Sequence, residues 1–188
     1  QGTGLAAATG ACAAGYHCPS GAASDTPSRQ AEIGDLTAGK CPAGHACAAG
    51  IAVPCAPGEY ADVAQTTCST CPPGKYCPRY AVTPAELPLL KCAAGYYCTA
   101  GALTPYPTDG VTGALCPVDR YCPEGAAVPL RCEPGTHEPR QGSSECQTCP
   151  PGFYCANGLR TTCSGGYCPA GSSTPTACPD GQHDNGVV

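Results

Sequence analysis

The residues with the most chemical potential in this chain are its 19 cysteines, accompanied by four histidines and 14 acidic side chains. Two Cys-x-x-Cys pairs, Cys68/Cys71 and Cys146/Cys149, have the spacing of half a zinc site or of a redox dithiol. A zinc site needs a second such pair about 12–20 residues away, and here the two pairs lie far beyond that reach. A redox dithiol needs a helix N-terminus in a thioredoxin-like pattern, and neither surrounds these pairs. His17, His45, His137 and His183 all fall in slots of a recurring cysteine motif. They read as substitutes for its aromatic residue. No Ser/His/Asp constellation stands out, and no D-x-D-x-D-G loop gathers the scattered acids, which leaves only a calcium site at a repeat junction open. The expectation is no enzyme, no catalytic residue, no cofactor and no bound metal. The chemistry of these cysteines is disulfide formation.

Composition says why disulfides are needed. The chain has 188 residues with 25 Gly and 22 Pro, but only nine Leu, two Ile, eight Val, one Phe, and no Met or Trp. At about 25 cal/mol per Å² of buried apolar surface, so few large side chains cannot offset the ordering entropy of the backbone. Covalent staples are the alternative to disorder. No stretch approaches a membrane-spanning length, and a net charge of −5 with nine Lys and Arg gives no nucleic-acid footprint. A disulfide framework of this density belongs to an oxidising compartment, so the chain is expected to be extracellular or on a cell surface.

The cysteines repeat. CAAGYHC (12–18), CPAGHAC (41–47), CPPGKYC (71–77), CAAGYYC (92–98), CPVDRYC (116–122), CPPGFYC (149–155) and the shorter CSGGYC (163–168) are copies of one motif. CAPGEY at 55, CEPGTH at 132 and CPDGQH at 178 open a related one. Residues 41–77 align with 116–155 cysteine for cysteine, a superunit of roughly 75–80 residues. The implied organisation is a partial first repeat and linker (1–40), a repeat unit and linker (41–91), a second superunit (92–162) and a truncated third unit (163–188). Cys178 is then read as having its partner beyond the end of the segment.

Each motif specifies a turn. Glycine stands three residues after the opening cysteine in all copies but one, where Asp119, which tolerates positive φ, replaces it. The following Tyr60, Tyr76, Tyr97, Tyr121, Tyr154 or Tyr167 is placed to cover its own disulfide. No window has sustained helical periodicity. The expected fold is a set of small disulfide-rich tandem repeats, an elongated array of short β-hairpins and irregular loops with almost no helix. Spacing alone leaves the pairing open. The simplest scheme joins each opener to its next cysteine: Cys12–Cys18, Cys41–Cys47, Cys55–Cys68, Cys71–Cys77, Cys92–Cys98, Cys116–Cys122, Cys132–Cys146, Cys149–Cys155 and Cys163–Cys168. An interleaved scheme, such as Cys41–Cys55 with Cys47–Cys68, is the rival.

Between the motifs lie stretches rich in Ala, Gly, Ser, Thr and Pro. Thr-Pro steps there favour extended geometry and offer O-glycan acceptors, the candidates being Thr26, Ser28, Thr83, Thr104, Thr108, Ser172, Ser173 and Thr174. No N-x-S/T sequon exists. Tyr80, Leu89, Leu90 and Tyr106 lie outside the motif and are candidates for packing against a neighbouring unit or chain.

The set CPPGKYC, CPPGFYC, YCPAGSSTP and C-x-P-G-x-[YH] followed by C-x-x-C-P-P-G resembles the ephrin-receptor-like cysteine-rich repeats of surface proteins, from Cys12 to His183. Such repeats are abundant in algal and protist surface proteins. Asp119, the short CSGGYC and Asp184, where a Cys-x5-Cys reading would need cysteine, depart from the pattern. The resemblance implies an elongated, stapled array on an extracellular protein and carries no catalytic activity. The functional expectation is a structural segment, a rod, filament or surface-appendage building block such as a flagellar or cell-coat fibre. It would associate end to end or laterally with other extracellular chains, and be O-glycosylated. The alternative is the stalk or binding ectodomain of a receptor or adhesin.

Overall fold

A computed structural model describes residues 12–18, 39–164 and 166–177. Among them there is no helix; 14 strands of two to four residues form seven two-stranded antiparallel sheets. Nine disulfides join Cys12–Cys18, Cys41–Cys47, Cys55–Cys68, Cys71–Cys77, Cys92–Cys98, Cys116–Cys122, Cys132–Cys146, Cys149–Cys155 and Cys163–Cys168. Each opener is bonded to its next cysteine. The protein is a small disulfide-rich hairpin-repeat fold. Cys178, Thr26, Ser28 and His183 lie outside the described residues.

The chain divides into two compact units, Gln1–Leu90 with Ala100–Thr104, and Lys91–Thr99 with Pro105–Val188. In the first, β1 (Tyr16–His17) pairs with β2 (Gly39–Lys40), β3 (His45–Ala48) with β4 (Ile51–Pro54), and β5 (Glu59–Tyr60) with β6 (Ser69–Thr70). In the second, β7 (Tyr96–Cys98) pairs with β8 (Gly113–Leu115), and β9 (Arg120–Tyr121) with β10 (Leu130–Arg131). The same unit pairs β11 (Thr136–His137) with β12 (Gln147–Thr148), and β13 (Phe153–Ala156) with β14 (Leu159–Thr162). An isolated two-stranded hairpin is marginal in water. These hairpins persist because sulfur closes them and because, within each unit, main-chain hydrogen bonds tie one module to another.

That tie follows a repeated pattern. The motif glycine's carbonyl accepts the N–H of a later opening cysteine: Cys41 to Gly15, Cys55 to Gly44 and Cys71 to Gly58 in the first unit, at 2.8–2.9 Å. In the second unit Cys116 donates to Gly95, Cys149 to Gly135 and Cys163 to Gly152, at 2.8–3.0 Å. The same glycines donate forward, Gly58 to Cys77 O, Gly95 to Cys122 O, Gly135 to Cys155 O and Gly152 to Cys168 O. A turn farther along then donates back to an opening cysteine's carbonyl: Ala64 to Cys41, Gly101 to Cys71, Gly125 to Cys92, Gly142 to Cys116 and Gly171 to Cys149. Backbone groups that a lone turn would leave to water are satisfied by the following modules.

This close approach adds a second reason for the motif glycine. At Gly95, φ is +84°, and a Cβ built there would meet Gly142 O at 2.3 Å. At Gly15 it would meet Ala64 O at 2.4 Å. At these two positions left-handed geometry and inter-module packing both demand glycine. Asp119 adopts φ of 62° as its residue type allows, and its N–H still donates to Glu138 O.

The core is sulfur. Cys41, Cys71, Cys77, Cys92, Cys98, Cys116, Cys122, Cys149 and Cys155 are completely buried. Small clusters replace a central core: Cys71, Cys77 and Val82 in one unit, and Cys116, Cys122 and Ala126 in the other. Two of the motif aromatics reach beyond their own hairpin. Tyr60, from the Cys55–Cys68 module, packs against the cluster of Cys71, Cys77 and Val82, and Tyr97, from the Cys92–Cys98 module, packs against the cluster of Cys116, Cys122 and Ala126. Each cluster contains the next disulfide along the chain, which these rings help to cover.

Candidate functional site

The Cys-x-x-Cys pairs do not act as pairs. Cys68 is bonded to Cys55 and Cys71 to Cys77, while Cys146 is bonded to Cys132 and Cys149 to Cys155. Each is the junction between the last cysteine of one module and the first of the next. Among the described residues no group of three or more His, Cys, Asp or Glu could hold a metal ion. No helix there is long and apolar enough to cross a membrane. Nine disulfides belong to an oxidising, extracellular type of environment.

The histidines are placed by their hairpins. His17 on β1 sets Nδ1 3.0 Å from Gly50 O and 3.2 Å from Ala52 N, at the β3–β4 turn. His45 Nδ1 lies 3.3 Å from Ala43 O within its own turn. His137 on β11 is buried, and its backbone bridges to Gly158. Its equivalent in the first superunit, Tyr60, bridges to Val82 in the same parallel sense.

The glycan candidates divide by access. Thr83 is buried, its hydroxyl donates to Glu86 Oε2 at 3.1 Å, and its N–H donates to the same oxygen at 2.9 Å. Thr104, Thr108 and Thr174 are exposed, and Ser172 and Ser173 are half-buried, with Ser172 Oγ donating to Pro169 O at 2.7 Å. The packing candidates divide as well. Leu90 packs with Leu87 on the Cys71–Cys77–Val82 cluster of its own unit, and Tyr106 stands edge-on to Tyr96 at 5.4 Å. Tyr80 and Leu89 are exposed, at 62% and 85%. The segment carrying them is held by Arg79, which is paired with Glu86 and donates to Tyr80 O at 3.2 Å.

Glu138 escapes the sequence reading. It occupies the place of buried Ala61 in the first superunit and is itself wholly buried. Its Oε1 accepts the N–H and Nε–H of Arg140, both at 3.0 Å, while Oε2 lies 3.4 Å from Arg140 Nη2 and 3.5 Å from Gln147 Nε2. Burial pushes this carboxyl upward, but hydrogen bonds from Arg140 and Ser143, with the Arg140 charge, hold it below the usual glutamate range. The carboxylate organises the 139–146 loop, whose residues 140–145 line a shallow open hollow. The sole sequence signal was the misfit of glutamate where Ala61 stands in the sister repeat. Asp109 is a smaller case: hydrogen bonds from the Thr112 hydroxyl and the Val111 and Thr112 N–H groups lower its pKa and fix the exposed 109–112 turn.

Neither the models of known families nor the curated proteins compared with this chain match it. Its own residues therefore define its class, a protein of small tandem disulfide-stapled hairpins.

Proposed function

We propose that this chain is a structural extracellular protein, a repeat segment from which a rod, filament or surface appendage of the flagellar-hair or cell-coat kind is built. The observation that supports this reading most is the repeated main-chain tie, from opening cysteine to preceding glycine and from later turn back to opening cysteine. Because that tie uses main-chain atoms, it tolerates side-chain variation and extends by adding modules, as quasi-one-dimensional repeat proteins do. A heterologous contact between copies then continues the array as a fibre. The ephrin-receptor-like resemblance of the motifs accords with it, as does a chemistry concentrated in staples. O-glycans fit best on exposed Thr104, Thr108 and Thr174.

The second reading is a stalk or binding ectodomain of a receptor or adhesin. Exposed Tyr80 and Leu89, presented on a segment braced by Arg79 and Glu86, favour it. Sedimentation velocity at rising concentration separates the two. The structural reading expects species that grow without a closed limit; a monomer constant across the range, retained by one heterologous surface partner, would replace it with the second.

A further inference from the structure

The oxidisable side chains of this protein are distributed in an unusual way. The chain has no Met and no Trp, and the 18 described cysteines are all consumed in disulfides. Ten tyrosines remain as the phenols of the chain. Most are half-buried in motif slots, where Tyr60 and Tyr97 pack against clusters that contain disulfides. Three are exposed: Tyr80 at 62%, Tyr106 at 59% and Tyr167, which is itself in a motif slot, at 52%. Each sits on a fixed backbone. Tyr80 O accepts from Arg79, Tyr106 packs edge-on to Tyr96, and Tyr167 exchanges main-chain hydrogen bonds with Thr176 at 2.9 and 3.0 Å.

We infer that Tyr80, Tyr106 and Tyr167 are oxidative coupling sites through which copies of this chain become covalently joined once assembled. The inference rests on the assembly reading above. The oxidant is of the peroxide class, hydrogen peroxide used by a haem peroxidase. Each of two phenols gives up one electron and its hydroxyl proton, and the two phenoxyl radicals join through the ring carbons ortho to oxygen. The two ring hydrogens at the new bond then leave as protons and the rings regain their hydroxyls. Two tyrosines and one hydrogen peroxide thus yield one coupled pair and two waters. Met, Trp and free thiols, which would intercept the oxidant elsewhere, are absent from the described residues. A disulfide-stapled module changes little when its exposed ring is coupled, since the ring is not part of its core.

The test treats the purified chain with hydrogen peroxide and peroxidase, at concentrations where it does and does not self-associate. Expected are multimers that survive reduction and boiling, formed from the associated sample. Their peptides should join Tyr80, Tyr106 or Tyr167 with the loss of two hydrogens. The Tyr80→Phe/Tyr106→Phe/Tyr167→Phe variant keeps the rings, should keep the fold by circular dichroism and disulfide mapping, and should lose most of the coupled product. Assemblies that form but yield no tyrosine pairs overturn the inference and leave the assembly reading standing. Coupling spread over the half-buried tyrosines, or unchanged in the triple variant, overturns it as well. A chain that stays monomeric at every concentration removes the assembly reading and, with it, this one.

Discussion

At the scale of single residues, two glycines of the same motif slot separate the demands made on that slot. Gly152 has φ of +83° and open space where a Cβ would stand; Gly95 has φ of +84° and a carbonyl 2.3 Å away. Gly152→Ala should cost about 1–2 kcal/mol, the left-handed penalty alone. Gly95→Ala should cost clearly more, because its Cβ meets the backbone of Gly142, and chemical denaturation of the two variants measures the gap. Glu138 makes a second prediction. Its pKa is depressed below the ordinary 4.5, so its contribution is complete above that value and is lost as pH falls through the lower folded value. Glu138→Gln should cost about 2 kcal/mol near neutrality, since a buried carboxylate accepts charge-assisted hydrogen bonds there. The variant should also lose part of the wild-type's acid sensitivity, seen as a flatter stability profile below pH 4.5. The glycine was legible in the sequence as a turn residue, and Asp119 was legible as its one replacement. The clash that makes Gly95 irreplaceable was not, since it comes from a module 47 positions later, Gly142 against Gly95. Glu138 was hidden for a related reason: its partners Arg140, Ser143 and Gln147 look like an ordinary polar loop until the chain turns back on itself.

At the scale of the element, the hairpins are too short to hold by pairing alone, and disulfides within modules and main-chain ties between them supply the rest. Disulfide loops of six residues could be read from spacing, with two pairing schemes left open, because sequence gives distances along the chain and not through space. The tyrosine before the closing cysteine was legible as a cover for sulfur. Which sulfur it covers depended on where the docked turn aims it, a tertiary fact. Tyr97→Ala therefore tests the crossing. It should destabilise by about 2 kcal/mol, less than a fully buried aromatic loses. The effect should fall on the next module, with faster reduction of Cys116–Cys122 than of Cys92–Cys98, followed by timed alkylation and peptide mapping. Equal acceleration of both would return the ring to its own disulfide.

At the scale of the whole molecule, the shortage of large apolar residues finds its explanation in two units whose buried hydrophobic side chains, among the described residues, are cysteines, Ala61, Ala102, Ala126 and Val82. Among the described residues thirteen large hydrophobic side chains are exposed, from Ile51 and Val53 on β4 to Leu159 on β14 and Tyr167. Main-chain ties that repeat from module to module accord with the proposed filament role. Electron microscopy of the purified, non-reduced protein at high concentration tests that claim most directly. Expected are fibres whose repeat follows the modules and which come apart when the disulfides are reduced. Isolated particles that never associate, with the disulfides intact, would contradict it.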